Sequence, residues 1–113
     1  MPLSVNNISA LNALSTKQSV TANNIANSET KEFKKSTTIL EEGLNGAVST
    51  KIQQVNTPGT MINQPDGSLE EMSNVDLIQE ATDMITTRHA YEANLKALKI
   101  NINMEDAVLD LIG

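Results

Sequence analysis

From Leu77 to Ile112 the sequence advances by alternating steps of four and three residues for five heptads: Leu77, Ala81, Met84, Arg88, Tyr91, Leu95, Leu98, Ile102, Glu105, Leu109 and Ile112. A mean step of 3.5 residues keeps these positions on one seam of a helix, the pattern by which helices pack lengthwise on one another. No Pro or Gly interrupts the run. Ser73, followed three residues later by Asp76, resembles a capping box, and a helix from about Asn74 onward would be roughly 58 Å long. A helix gains most of its stability from packing, so a seam of this length requires a partner helix.

A shorter stripe, Ile8, Leu11, Leu14, Gln18, Thr21 and Ile25, predicts that partner over 4–27. Ser4 is placed to cap it, and Asn23, Asn24 and Asn27 mark its exit, because Asn competes for backbone hydrogen bonds. Between the stripes, 28–72 holds Gly43, Gly46, the Pro58-Gly59 pair, Pro65 and Asp66-Gly67. Such punctuation predicts a loop or a small hairpin, with a strand near Ala47–Val55 turning back at Pro58-Gly59 toward Thr60–Asn63. The expected architecture is a single domain over 1–113, mainly α. Its two terminal helices, 4–27 and 73–112, pair as an antiparallel coiled coil or bundle around an irregular or β-hairpin middle segment, 28–72. The first stripe is shorter by about fifteen residues, so part of the second is left for another chain, which implies a homo-oligomer.

Composition removes several classes of function. Phe33 and Tyr91 are the only aromatic residues, which disfavours a sandwich or barrel core. The net charge is -6, and no cluster of Lys or Arg could neutralise a row of phosphates, so nucleic acid is not an expected partner. The residues up to Leu40 carry four Lys against two Glu, and the acidity lies in the centre and after Leu77. Without Cys there is no disulfide, thiolate metal site or cysteine nucleophile. No apolar run is long enough to span a membrane, and the first twenty residues lack the basic and apolar regions of a cleavable signal.

No catalytic, cofactor-binding or metal constellation emerges. His89 is the sole histidine and has only Glu92 as a charged neighbour at helical spacing. Glu70, Glu71, Asp76, Glu80 and Asp83 read as a solvated acidic face, because the Asp66-Gly67 turn lacks the ligand spacing of a calcium loop. Arg88 and Glu105 interrupt the apolar seam, where polar groups either snorkel to water or fix register between helices. The candidate assembly interface is therefore Ile8, Leu11, Leu14 and Ile25 on the first helix. On the second it is Leu77, Met84, Arg88, Tyr91, Leu95, Leu98, Ile102 and Leu109.

Two strings, TANNIANSETKEF at Thr21–Phe33 and SNVDLIQEATDMITTRHAYEANLKALK at Ser73–Lys99, resemble the signature ends of the flagellar rod and hook axial protein family. The matching residues are Ala22, Asn23, Asn24, Ile25, Ala26 and Asn27, with Thr30, Phe33 and Lys34; then Ser73, Asn74, Val75, Asp76 and Leu77; then Tyr91, Glu92, Ala93 and Asn94. Lys31 and Glu32 stand where the family has Pro-Gly, which removes the residue a tight turn there favours. A similar VNTPG string occurs instead at Val55–Gly59, and His89 separates the Arg and Ala of the usual RAYEAN.

The resemblance implies terminal helices that pair and stack about a rod axis, with copies of the chain and other rod or hook subunits as partners. It further implies export through the flagellar secretion apparatus without a cleaved signal, and residence in the basal body. A cytosolic coiled-coil adaptor or regulatory paralogue is the alternative, and a rod-associated cell-wall enzyme is disfavoured by the missing carboxylate pair.

Overall fold

The computed structural model describes residues 3–112, with side chains over 5–112. Helix α1 spans Leu3–Ala26 and helix α2 Leu77–Ile112. Between them lie strands β1 (Ser36–Glu42), β2 (Val48–Gln54), β3 (Met61–Asn63) and β4 (Leu69–Glu71), which form two antiparallel hairpins. The fold is thus mainly helical with two small sheets. Its extents are 78 × 24 × 13 Å, and its radius of gyration of 20.0 Å far exceeds the roughly 13 Å of a compact chain this long.

α1 and α2 lie side by side in opposite directions. Asn24 meets Glu80, and farther along the Gln18 side chain donates to the Met84 carbonyl at 3.4 Å. The strip of α2 that turns inward is not centred on the expected seam. It runs through Glu80, Asp83, Met84, Thr87, Ala90, Asn94, Ala97, Leu98 and Asn101, a stripe of the same period rotated toward polar and small residues. The polar contacts set that rotation, because a buried carboxylate or amide tolerates one orientation only, the one that meets its partners.

Helix ends also differ from expectation. α1 begins at Leu3, ahead of Ser4, whose capping side chain lies outside the described residues, and it ends at Ala26 rather than at 27. α2 starts at Leu77, not at 73, because Asp76 and not Ser73 caps it: Asp76 Oδ1 accepts from Ile78 and Gln79 N–H at 3.1 and 3.3 Å. Ser73 Oγ accepts instead from Val75 N–H, holding the approach to the helix.

The middle segment, expected as a loop or one hairpin, is two hairpins with different partners. β2 pairs with β1, Leu40 opposite Thr50, and β3 pairs with β4, Ile62 opposite Glu70. Pro58-Gly59 lies in the connection from β2 to β3 but closes no hairpin between them. The turns that close the ladders are those in which glycine takes a left-handed φ, Gly46 at 80° and Gly67 at 89°. The first hairpin lies along α1: its base bonds Asn24 through Ser36, and near its tip the Val48 N–H donates to Ser9 Oγ at 3.0 Å. Seven strand residues span about 23 Å, as do fifteen helical ones, so the ribbon matches the stretch of α1 between these anchors.

Among the described residues the buried apolar side chains are Leu11, Ala13 and Leu14, whereas Thr21, Asn24, Ser73, Glu80 and Thr87 are buried polar ones. No helix among them is long and apolar enough to cross a membrane. So thin an apolar core leaves much of the fold to polar contacts.

Candidate assembly interface and motif junction

The two family-like strings meet in space, and asparagine side chains join them. Asn24, 1% exposed, faces the first residue of β1. Its Nδ2 donates to Ser36 O at 2.7 Å and its Oδ1 accepts from Ser36 N–H at 3.0 Å, so the amide acts as one more rung of backbone. The second Nδ2 proton goes to Glu80 Oε1 at 3.0 Å. Three of the four hydrogen bonds open to an Asn amide are thereby made, two to β1 and one to α2.

Asn74 repeats the device at the open end of the same hairpin. Its Oδ1 accepts from Lys35 N–H at 2.7 Å, and its Nδ2 donates to Val55 O at 2.8 Å and Thr57 O at 2.9 Å. Its own N–H donates to Phe33 O at 3.2 Å. The approach to α2 is therefore stitched to the segment leaving α1.

A charged clasp lies beside it. Lys34 Nζ pairs with Glu71 and also donates to Thr57 O at 3.2 Å, and Glu71 Oε1 accepts from Gly59 N–H at 3.0 Å. The Lys34 hydrogen bond, then that of Gly59, holds the Glu71 carboxyl below the usual carboxylate range. Gly59 is needed for close approach: a Cβ there would stand 1.9 Å from the Met72 carbonyl oxygen. Lys31 adds a second ion pair, to Glu70 at 2.7 Å.

The turn that Lys31-Glu32 was expected to disfavour is formed. Glu32 adopts φ 59°, the left-handed conformation that glycine takes freely, and its N–H donates to Glu71 O at 3.1 Å. The position thus keeps glycine's backbone shape without glycine. Asn27 supports the same elbow, donating through Nδ2 to Asn23 O at 2.9 Å and accepting from Thr30 Oγ1 at 3.0 Å.

Glu80 is the buried acid of the junction, at 5% exposure. Burial pushes its carboxyl above the ordinary value, against the Asn24 hydrogen bond; Asp83 and Asp76 push the same way and Lys35 opposes them.

The interface candidates divide into two groups. Leu11 and Leu14 are buried, and Ile25, Met84 and Leu98 are half-buried. Ile8, Leu77, Arg88, Tyr91, Leu95, Ile102 and Leu109 are exposed, from 38% at Tyr91 to 61% at Leu109 among those with large apolar side chains. Arg88 points to solvent and pairs with Glu92 at 3.1 Å. Of the motif residues, Asn24, Ser73 and Asn74 enter the junction, Asp76 caps α2, and Val75 is half-buried. Ala22, Asn23 and Ala26 face outward on α1, Glu92 and Ala93 on α2, and Asn94 bonds the Ala90 carbonyl of its own helix at 3.0 Å.

From the sequence Glu71 and Glu80 read as part of a solvated acidic face, whereas Glu80 is buried and Glu71 half-buried, and Gly59 read only as a turn residue. Their roles arise from contacts between residues that lie far apart along the chain, and nothing in their local spacing signals them.

Comparison with protein-family models finds two matches. A family model described as flagella basal body rod protein matches residues 6–34, and one described as flagellar basal body rod FlgEFG protein C-terminal matches 66–111. No curated protein matches significantly. The two matched stretches cover most of α1 with its elbow, and β4 with nearly all of α2, the parts that the junction brings together. On these two matches, in order and at the two ends of the fold, the chain belongs to the flagellar basal-body rod protein family.

Proposed function

We propose that this chain is a structural subunit of the flagellar rod, assembling through its two helices with copies of itself and with other rod or hook subunits. The observation that carries this reading is the apolar seam of α2. Leu77, Tyr91, Leu95, Ile102 and Leu109 are 53, 38, 49, 44 and 61% exposed, although five consecutive heptads specify them for packing. Fully burying such a side chain is worth about 1.5–3 kcal/mol, so a half-exposed row of five leaves several kcal/mol to be gained from neighbours. The seam completes as a coiled coil between subunits, while α1 covers mainly the adjacent polar strip and, of the seam itself, part of Met84 and Leu98.

The role is structural rather than catalytic. The converging polar groups at Asn24, Asn74, Glu71 and Glu80 spend their hydrogen bonds on this chain's own backbone and side chains. The single domain presents its hairpins as a small cover over α1, and the chain reaches the rod through the flagellar export apparatus.

The test is to tag the chain, isolate intact basal bodies and probe them. The tagged protein is expected in the rod fraction, and its confinement to the cytosol would favour an adaptor and end this reading. Carrying Leu95→Asp or Leu98→Asp should abolish incorporation, since each puts a carboxylate without a counter-charge into the seam, whereas His89→Ala should leave it intact.

A further inference from the structure

We propose that the far end of α2, residues 95–112, pairs antiparallel with the same segment of a second copy and closes the free chain into a dimer. The inference rests on the seam's being an assembly surface and names its occupant before assembly. α2 is 36 residues long against 24 for α1, and every residue over 102–112 is exposed. Met104, Val108, Leu111 and Ile112 there are 61, 56, 86 and 78% exposed.

Charge selects the orientation. From Arg88 to Lys99 the helix carries three bases and one acid, and from Ile100 to Ile112 three acids and no base. Arg88 is taken by Glu92; among the described residues no ion pair involves Lys96, Lys99, Glu105, Asp106 or Asp110. A parallel, in-register pair would set acids against acids and bases against bases. An antiparallel pair sets the basic stretch of each helix against the acidic stretch of the other, with opposed helix dipoles.

The heptad then fixes the register. Leu98 faces the second copy's Leu109, Leu95 its Ile112 and Ile102 its Glu105, while the flanking positions bring Lys99 to its Asp106, twice by symmetry. Both free ends are covered at once, so the contact closes. Such a dimer conceals part of the seam that neighbours use in the rod, holding the free chain in a form that cannot add to it.

Light scattering across rising protein concentration is the test. A plateau at twice the 12.2 kDa monomer mass is expected. Lys99→Glu should weaken the dimer at least tenfold and Asp106→Lys likewise, whereas the double variant should restore it, since both residues are exposed and neither is needed for the fold. Because the chain has no Cys, Leu98→Cys and Leu109→Cys proteins should form a disulfide when mixed but not alone; like residues would lie roughly 16 Å apart, too far to bridge. A monomer at all concentrations, open-ended growth in mass, or a double variant as weak as its parents would overturn the proposal. These outcomes are separate from the basal-body assay, so either reading can fail without the other.

Discussion

Replacing Glu32 by Gly is expected to stabilise the protein. At φ 59° a residue with a Cβ meets the neighbouring carbonyl, at a cost of roughly 1–2 kcal/mol, which Gly does not incur. Gly in turn loses more chain freedom on folding, about 0.5–1 kcal/mol relative to Ala. The difference favours the variant by about 0.5–1 kcal/mol. Little is lost with the side chain, which is exposed and takes part in no ion pair among the described residues. The Glu32 N–H bond to the Glu71 carbonyl is a backbone contact and survives the change. For a chain of this size the gain corresponds to a rise in Tm of roughly 2–5 °C, readable by thermal or urea unfolding followed by circular dichroism. Glu32→Ala is the control: it keeps the Cβ and should show no such gain, and Glu32→Val should be less stable still. Should Glu32→Gly and Glu32→Ala melt together, the left-handed backbone would not be the source of the strain, and the reasoning would fall.

Three further outcomes follow from the junction. Gly59→Ala should destabilise by about 1–3 kcal/mol, because its methyl group would force apart two backbone segments; exchange of the Met72 and Val55 amides should speed up. Asn24→Ala should cost about 1–3 kcal/mol, since it leaves the Ser36 backbone and Glu80 without their partner; unfolding in urea measures it. Glu80→Gln should raise Tm at pH 7. The folded carboxyl titrates above its ordinary value, so its penalty is absent below that value, grows as pH rises through the folded value and is complete above it. The advantage of Gln should therefore vanish by about pH 4, and an equal advantage at both pH values would exclude a titrating cause.

Helix existence, and the need for a partner, were legible in the sequence because heptad spacing is a local property that a chain carries wherever it goes. The same holds for the α1 stripe, of which Leu11 and Leu14 are buried. The turn at Asp66-Gly67 was also legible, since glycine's backbone freedom needs no tertiary context. What the spacing could not give was rotation: a seam says which residues share a face, and the hydrogen bonds of Asn24 and Gln18 with α2 decide which face meets α1. Strand pairing was misjudged for a related reason. Val48–Gln54 offers a similar edge to any extended neighbour, and it was the match in length between the first hairpin and α1, with Asn24 and Asn74 anchoring its open end, that selected β1 as its partner. The sequence by itself thus determined two helices, an uncovered seam and, through its motifs, the family. Tertiary structure alone decided that Asn24 and Asn74 act as backbone rungs, that Glu32 stands in for glycine, and that a buried acid ties the helices together. Those are contacts between distant residues, and their energy depends on desolvation and on partners that local spacing does not encode.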